Sequence, residues 1–368
     1  MNQTKRYISL DILRGLTVAL MIIVNNPGSW SHIYPMLRHA SWDGCTPCDL
    51  VFPFFLFCVG ASMAFAFARY QGLTADAMKK VLKRGVLLYV LGLLIMAFPF
   101  YPSHTNPELT PMQNWLHWVG NLRLVGVLPR IAMCYMLGSV LVLWLQKPKK
   151  LIVATGILCV LHVSLLLFFA GPEGAFCLEG NFARKLDLAI LGERHIYHGY
   201  GIPFDPEGLL GTLTGTATVL LGYLVGQLVR KSKSQGSATR VLAISSGFIL
   251  TGLLLSIWVP LNKPLWSVSY VFYTAGWASL VFALLVYLID VRGIEKPFFP
   301  FKALGMNALA LYALSEILGR VIRRFIGWDY SEVFGHTESM SLLFAVLYLT
   351  VHLLIAVVLY KKKIFIKL

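Results

Sequence analysis

The chain has 368 residues, 57% of them hydrophobic and 13% charged, and its mean hydropathy is +0.69. No soluble domain hides that much apolar surface, so the composition specifies an all-α, polytopic membrane protein. A formal net charge of +15 would point to nucleic acid in a soluble protein; here the basic residues fall in short clusters between apolar runs and read as topology signals, which excludes a nucleic-acid partner.

Scanning for the roughly 20 apolar residues that a spanning helix needs gives about ten transmembrane helices. They lie at about 8–27, 49–68, 84–100, 122–145, 151–170, 209–229, 241–260, 268–290, 302–320 and 341–360. Only MNQTKRY precedes the first run, which lacks a small-residue cleavage site and reads as a retained span. Alternate connections are basic. Lys5 and Arg6, Arg69 to Arg84, Lys147 to Lys150, Arg230 to Arg240, Arg292 to Lys302, and Lys361 to Lys367 together hold 21 of the 32 Lys and Arg residues. That set is expected in the cytoplasm, with both termini cytoplasmic, and the opposite connections, richer in Trp, Tyr, His and Asn, face away. So little sequence remains outside the spans that 1–368 is expected to form a single domain. No strong internal repeat and no paired broken helices are visible, which disfavours a transporter built from inverted repeats.

Ionisable groups inside such runs cost about 2.5–3.5 kcal/mol on insertion scales and demand an explanation. In "YISLDILRGLTVALMIIVNNPG", Asp11 and Arg14 share a face at i, i+3. They form a structural pair, or Arg14 holds an anion entering from the cytoplasm. Asn25 and Asn26 end that helix before Pro27 and Gly28, either as a cap or, for Asn25, as an oxyanion-stabilising amide. Next, "RHASWDGCTPCDLVFPFF" sets His39, Trp42, Asp43 and Asp49 at the mouth of the second span. Cys45 and Cys48 are spaced CxxC, which fits a labile disulfide or two unpaired small residues. The six cysteines match neither a disulfide framework nor a zinc site, and no metal is expected.

Further along, "NLRLVGVLPRIAMCY" places Arg123 and Arg130 seven residues apart, on one face of the predicted helix and about 10 Å apart along its axis. Arg123 can snorkel; Arg130 lies deeper and needs a carboxylate, carbonyls or a ligand phosphate. In "FDPEGLLGT", Asp205 and Glu207 either cap the following helix or receive sugar hydroxyls or an amine. Asn262, Lys263 and Trp266 of "NKPLWSV" stand at the outer ends of two spans, where an aromatic belt is the plain reading and substrate binding the alternative. Asn307 and Glu316 fall within a span, Glu316 at i, i+4 from Arg320. Asn307 is taken as a coenzyme contact.

Histidine is the side chain that accepts a proton near neutral pH, its unperturbed pKa being about 6.5. No GxSxG elbow and no HExxH pattern competes with it. His39 reads either as a polar surface residue of the interface or, with Asp43 and Asp49 nearby to orient the ring, as a general base or acyl-accepting nucleophile.

These segments, in their order, resemble the heparan-alpha-glucosaminide N-acetyltransferase family of transmembrane acyltransferases, in particular its bacterial relatives of DUF5009 or NagX type. The motifs are "SLDILRG", "HASWDG", "DLVFPFF", "GVLPRIAMCY", "FDPEGLLGT", "NKPLWSVSYV" and "GMNALALYALSE". The resemblance implies transfer of acetyl from cytoplasmic acetyl-CoA to an amino sugar across the membrane. It implies that His39, in the HASW motif, is catalytic, that Asn25 belongs to the site, and that Arg130 matches the arginine of the "GVLxR" segment, as a structural or coenzyme-pocket residue. Two departures stand out: no long domain precedes the first span, and CTPC replaces apolar or small residues. The short basic N-terminal stretch fits a multi-pass protein of a bacterial inner membrane, in contact with membrane lipid and compatible with a homodimer. A sugar transporter, or a sugar-binding protein without chemistry, is the rival reading.

Overall fold

A computed structural model describes residues 7–102, 105–231, 235–326 and 329–366. Lys5, Arg6, Lys233 and Lys367 of the basic clusters lie outside the described residues. Among the described residues every regular element is helical. Among the described residues, eight helices are long and apolar enough to cross a membrane, or nine if one bent pair counts as a single span.

The chain divides into two compact units, one of Met1–Arg69, Thr218–Leu261 and Ser269–Leu368, the other of Tyr70–Ala217 and Asn262–Val268. In the first unit, α1 (Ile8–Asn25) packs against α2 (Val51–Ala66), α11 (Phe299–Met306), α12 (Ala308–Val321) and α14 (Glu338–Lys361). Glycine sets the closest of these approaches. A β-carbon on Gly15 would strike the Phe301 carbonyl, and one on Gly305 the Asp11 carbonyl. Backbones thus meet directly between α1 and α11, as small residues allow in membrane helices. The same device joins α2 to α8 (Gly211–Lys231), where Gly60 faces the Val219 carbonyl and Gly222 the Phe57 carbonyl.

In the second unit, α3 (Ala75–Ala97) packs on α5 (Val127–Leu145), with Gly85 against Met136 and Gly92 against Leu128 and Pro129. The adjacent α6 (Pro148–Phe168) and the short α4 (Pro111–Val119) and α7 (Phe182–Ile190) complete its helices up to the start of α8. The remaining helices of the first unit are α9 (Gln235–Leu255), α10 (Val268–Leu285), which begins at the unit boundary, and α13 (Ser331–Phe334).

Three expected boundaries shift, each for a physical reason. The span expected at 84–100 belongs to α3, which starts at Ala75 after Thr74 accepts the Ala77 N–H, and whose first half carries Asp76, Lys79, Lys80, Lys83 and Arg84. It is long, but too charged to count among the eight. The span expected from 122 starts only at Val127, so Arg123 lies ahead of the helix and shares no helical face with Arg130. The span expected at 302–320 is broken at Asn307, with a 75° bend between Lys296–Met306 and Ala308–Ile326. Among the described residues this is one bent helix pair; the sequence reading sees no paired broken helices.

Candidate functional site

Asp49 organises the first unit's site. It sits in a one-turn 3-10 segment, Pro47–Leu50, that leads into α2, and it is 1% exposed. Its Oδ2 accepts the backbone N–H groups of Ala40 at 3.1 Å and Thr46 at 3.0 Å, while its own carbonyl accepts the Tyr270 hydroxyl at 2.6 Å. Both carboxylate oxygens are thus engaged as acceptors. Its Oδ1 lies 2.7 Å from Nδ1 of His39, so Nδ1 carries the proton and Nε2 becomes the basic nitrogen. The His39 side chain is half exposed. A buried acid thus fixes the tautomer and direction of an accessible imidazole, the relation that lets a histidine act as a base. Of the two candidate orienting acids, the structure gives this contact to Asp49; Asp43 is exposed. Trp42, beside it, is partly buried.

Cys48 has a definite place as well. Its buried sulfur is 3.1 Å from Nδ1 and 3.7 Å from Nε2 of His39. Two such similar distances place the thiol against the ring, while Asp49 holds the Nδ1 proton. Cys48 is a packing floor for the imidazole. Cys45 and Cys48 are not joined in a disulfide, and Cys45 Sγ lies 3.7 Å from the Thr46 carbonyl.

At the end of α1, the exposed Asn25 donates its amide to Oε1 of Glu316 on α12 at 3.2 Å. Glu316 also faces Arg320 at 3.9 Å. The sequence had given Glu316 only that helical partner; its link to Asn25 spans 291 residues and leaves no local signal. Asp11 and Arg14 pair at 3.6 Å, with the Arg14 side chain one-third exposed. Asn307 is buried at the helix break, where its Nδ2 donates to the Ile364 carbonyl at 3.1 Å and its Oδ1 accepts the Ile366 N–H at 2.8 Å. Its amide thus ties the C-terminal segment to the break.

The second unit gathers the remaining candidates. Arg123 donates from Nε to Oδ2 of Asp205 at 2.7 Å, and from Nη2 to both Asp205 and Glu207. Burial works against its charge, yet the bond to Asp205 and the charges of Glu207 and Asp205 outweigh it and raise its pKa. Asp205 also accepts the N–H groups of Tyr197 and Glu207, so one guanidinium and two backbone donors hold this pair of carboxylates. Arg130 is 1% exposed, donates from Nη2 to the Gly208 carbonyl at 2.7 Å, and lies 5.2 Å from the ring centre of Trp266. Among the described residues its Nε and Nη1 have no acceptor, which leaves two buried donors able to hold an anionic oxygen.

The glycines of "FDPEGLLGT" explain themselves here. A β-carbon on Gly211 would strike the Arg130 guanidinium, and one on Gly208 the carboxyl of Asp187. Trp266 is fully buried at φ +52°, a left-handed backbone that costs a bulky residue about 1–3 kcal/mol. Asn262 holds this turn, its Oδ1 accepting the Leu265 N–H at 2.7 Å and its N–H reaching Oγ of Ser267 at 3.0 Å. Lys263 is partly buried and supplies the carbonyl that receives the Trp266 N–H. Asp187, which the sequence reading passed over, is fully buried on α7. Burial raises its pKa, the Leu209 N–H lowers it, Asp205 raises it again, and the balance is about 7.

Residues 6–172 match the family described as heparan-alpha-glucosaminide N-acetyltransferase, catalytic, a stretch that contains Arg14, Asn25, His39, Asp49 and Arg130. The chain is 28% identical to the heparan-alpha-glucosaminide N-acetyltransferase of Mus musculus, over 100% of this chain and 61% of that protein. It is 27% identical to that of Homo sapiens, over 98% of this chain and 59% of that protein. The chain thus spans about three-fifths of the length of the curated relatives it matches.

Proposed function

We propose that this relative of the heparan-alpha-glucosaminide N-acetyltransferases is a membrane-embedded N-acetyltransferase that moves acetyl from cytoplasmic acetyl-CoA to the amine of an amino sugar on the opposite, periplasmic side of a bacterial inner membrane. In this reading the chain, 1–368, acts as a single domain with both termini in the cytoplasm. The observation that carries the reading is the bond from His39 Nδ1 to a buried, donor-saturated Asp49.

Nε2 of His39 takes the proton from the acceptor amine as its nitrogen attacks the thioester carbonyl carbon. The amide of Asn25, oriented by Glu316, donates to the oxygen that becomes negative. Collapse breaks the carbon–sulfur bond, and the imidazolium returns its proton to the departing thiolate. In the alternative order Nε2 first attacks the thioester carbon and expels the CoA thiolate, giving an acetyl-histidine; the amine then attacks that acetyl carbon, the bond to Nε2 breaks, and the amine's proton passes through the imidazole to the thiolate. Both orders need the same nitrogen. Arg14 in the first unit and, in the second, the two donors of Arg130 without an acceptor among the described residues are each suited to an anionic group of the donor substrate. Trp42 and the Asn262, Lys263 and Trp266 turn suit the sugar. Asp205 and Glu207, held by Arg123, are given a supporting role instead of direct contact, and Asn307, engaged with residues 364 and 366, is given none toward the coenzyme.

Purified protein incubated with acetyl-CoA and a panel of amino sugars releases free CoA only with the right acceptor, and His39→Ala abolishes that release. Full activity in the His39→Ala protein refutes the assignment. The 75° break at Asn307 favours a second reading, a sugar transporter, because broken helices line many transport sites. That reading requires sugar flux in proteoliposomes without consumption of acetyl-CoA.

A further inference from the structure

The second unit carries a feature that the acetyl-transfer reading does not use. A groove of about 510 Å³ runs between the end of α5 and the start of α6, lined by Leu141, Trp144, Val153 and Ile157, with Lys149 and Lys150 at one end. A second groove of about 500 Å³ shares Val153 and Ile157 and continues along α6 past Gly156 and Val160 to Ser164. Gly156 is a notch in this track, since a β-carbon there would meet nothing within 4 Å. Trp144, Val153, Ile157 and Val160 are each at least 60% exposed.

The track's length and charge identify what fits it. From Val153 to Ser164 a helix rises about 16 Å at 1.5 Å per residue, close to half of the roughly 30 Å hydrocarbon core, or one leaflet. The two lysines and Trp144 then stand at headgroup level, where basic residues between helices attract anionic lipid. A second copy of the chain fits less well. A two-fold axis along the membrane normal would set Lys149 and Lys150 at the same depth as their own copies and oppose like charges. We propose that the α5–α6 groove is a binding site for one anionic phospholipid, its headgroup on Lys149 and Lys150 and an acyl chain along Val153, Gly156 and Val160.

Trp144 supplies the readout. The full chain is reconstituted in phosphatidylcholine containing either phosphatidylglycerol or phosphatidylcholine with brominated acyl chains, and the Trp144 signal is taken as the difference from Trp144→Phe. Brominated phosphatidylglycerol quenches that signal at lower mole fraction than brominated phosphatidylcholine, with a preference of about five-fold for each lysine. The Lys149→Gln/Lys150→Gln protein loses the preference, and Gly156→Leu, which fills the track without changing charge, weakens quenching by phosphatidylglycerol. Equal quenching by the two lipids overturns the site, as does a preference that survives in the double variant. So does efficient cross-linking of Val160→Cys copies to each other at high dilution in lipid, which would give the groove to a second copy.

Discussion

Asp49 separates from Asp43 only in three dimensions. Both acids lie within ten residues of His39, and in sequence either could steer the ring. The fold buries one under four donors and leaves the other exposed. Asp49→Asn keeps the shape and removes the acceptor that fixes the tautomer, so kcat should fall on the order of 10²–10⁴-fold with little change in KM for acetyl-CoA. Asp43→Asn should cost less than about tenfold, as expected of an exposed charge; steady-state kinetics on the two variants checks both. Asp187 makes a prediction about pH. Its carboxyl is raised from 3.8 to about 7 in the folded protein, so folding favours its protonated form. The stability it lends is complete below about pH 4 and is lost as pH rises through about 7. Asp187→Asn should therefore match the parent at pH 4 and exceed it at pH 8 by up to about 4 kcal/mol, a difference that unfolding measurements at both pH values detect.

At the scale of elements, apolar runs were readable because the membrane enforces their length, whereas helix ends and partners were not. Arg123 looked like the first turn of a span, yet the chain stays irregular until Val127 and the guanidinium turns to Asp205 and Glu207. Those acids lie more than 80 residues away, so no helical spacing announces them. Arg123→Ala leaves two carboxylates without their partner and should destabilise by about 3–5 kcal/mol, while a variant that also neutralises Asp205 and Glu207 should recover much of the loss. Glycine contacts were equally hidden. Ala at Gly15 or Gly305 drives a β-carbon into backbone of the facing helix, whereas Ala at Gly319 meets only Asn26 and Tyr348 at 3.4 Å or more. The first two substitutions should lower stability by about 1–3 kcal/mol and the third should not, as judged by thermal unfolding in detergent. The break at Asn307 had no Pro or Gly pair to betray it; the amide that binds residues 364 and 366 accompanies it.

For the whole molecule, composition and charge clusters were enough to read an all-helical, multi-pass membrane protein, and the motif order was enough to read its relatives. The division into two units was not legible, because their segments interleave along the chain and α8 passes from one to the other. His39 was legible as a candidate by its chemistry and its motif, and the bond from Nδ1 to Asp49 adds the reason that the proposed reaction is assigned to Nε2. Sidedness is the claim that joins these scales. Proteoliposomes holding labelled acetyl-CoA in one compartment and an amino sugar only in the other test it directly. With the native chain, labelled N-acetyl sugar should accumulate on the acceptor side, and with His39→Ala it should not. Product that forms only when both substrates share a compartment, or that forms equally well without His39, would contradict the account.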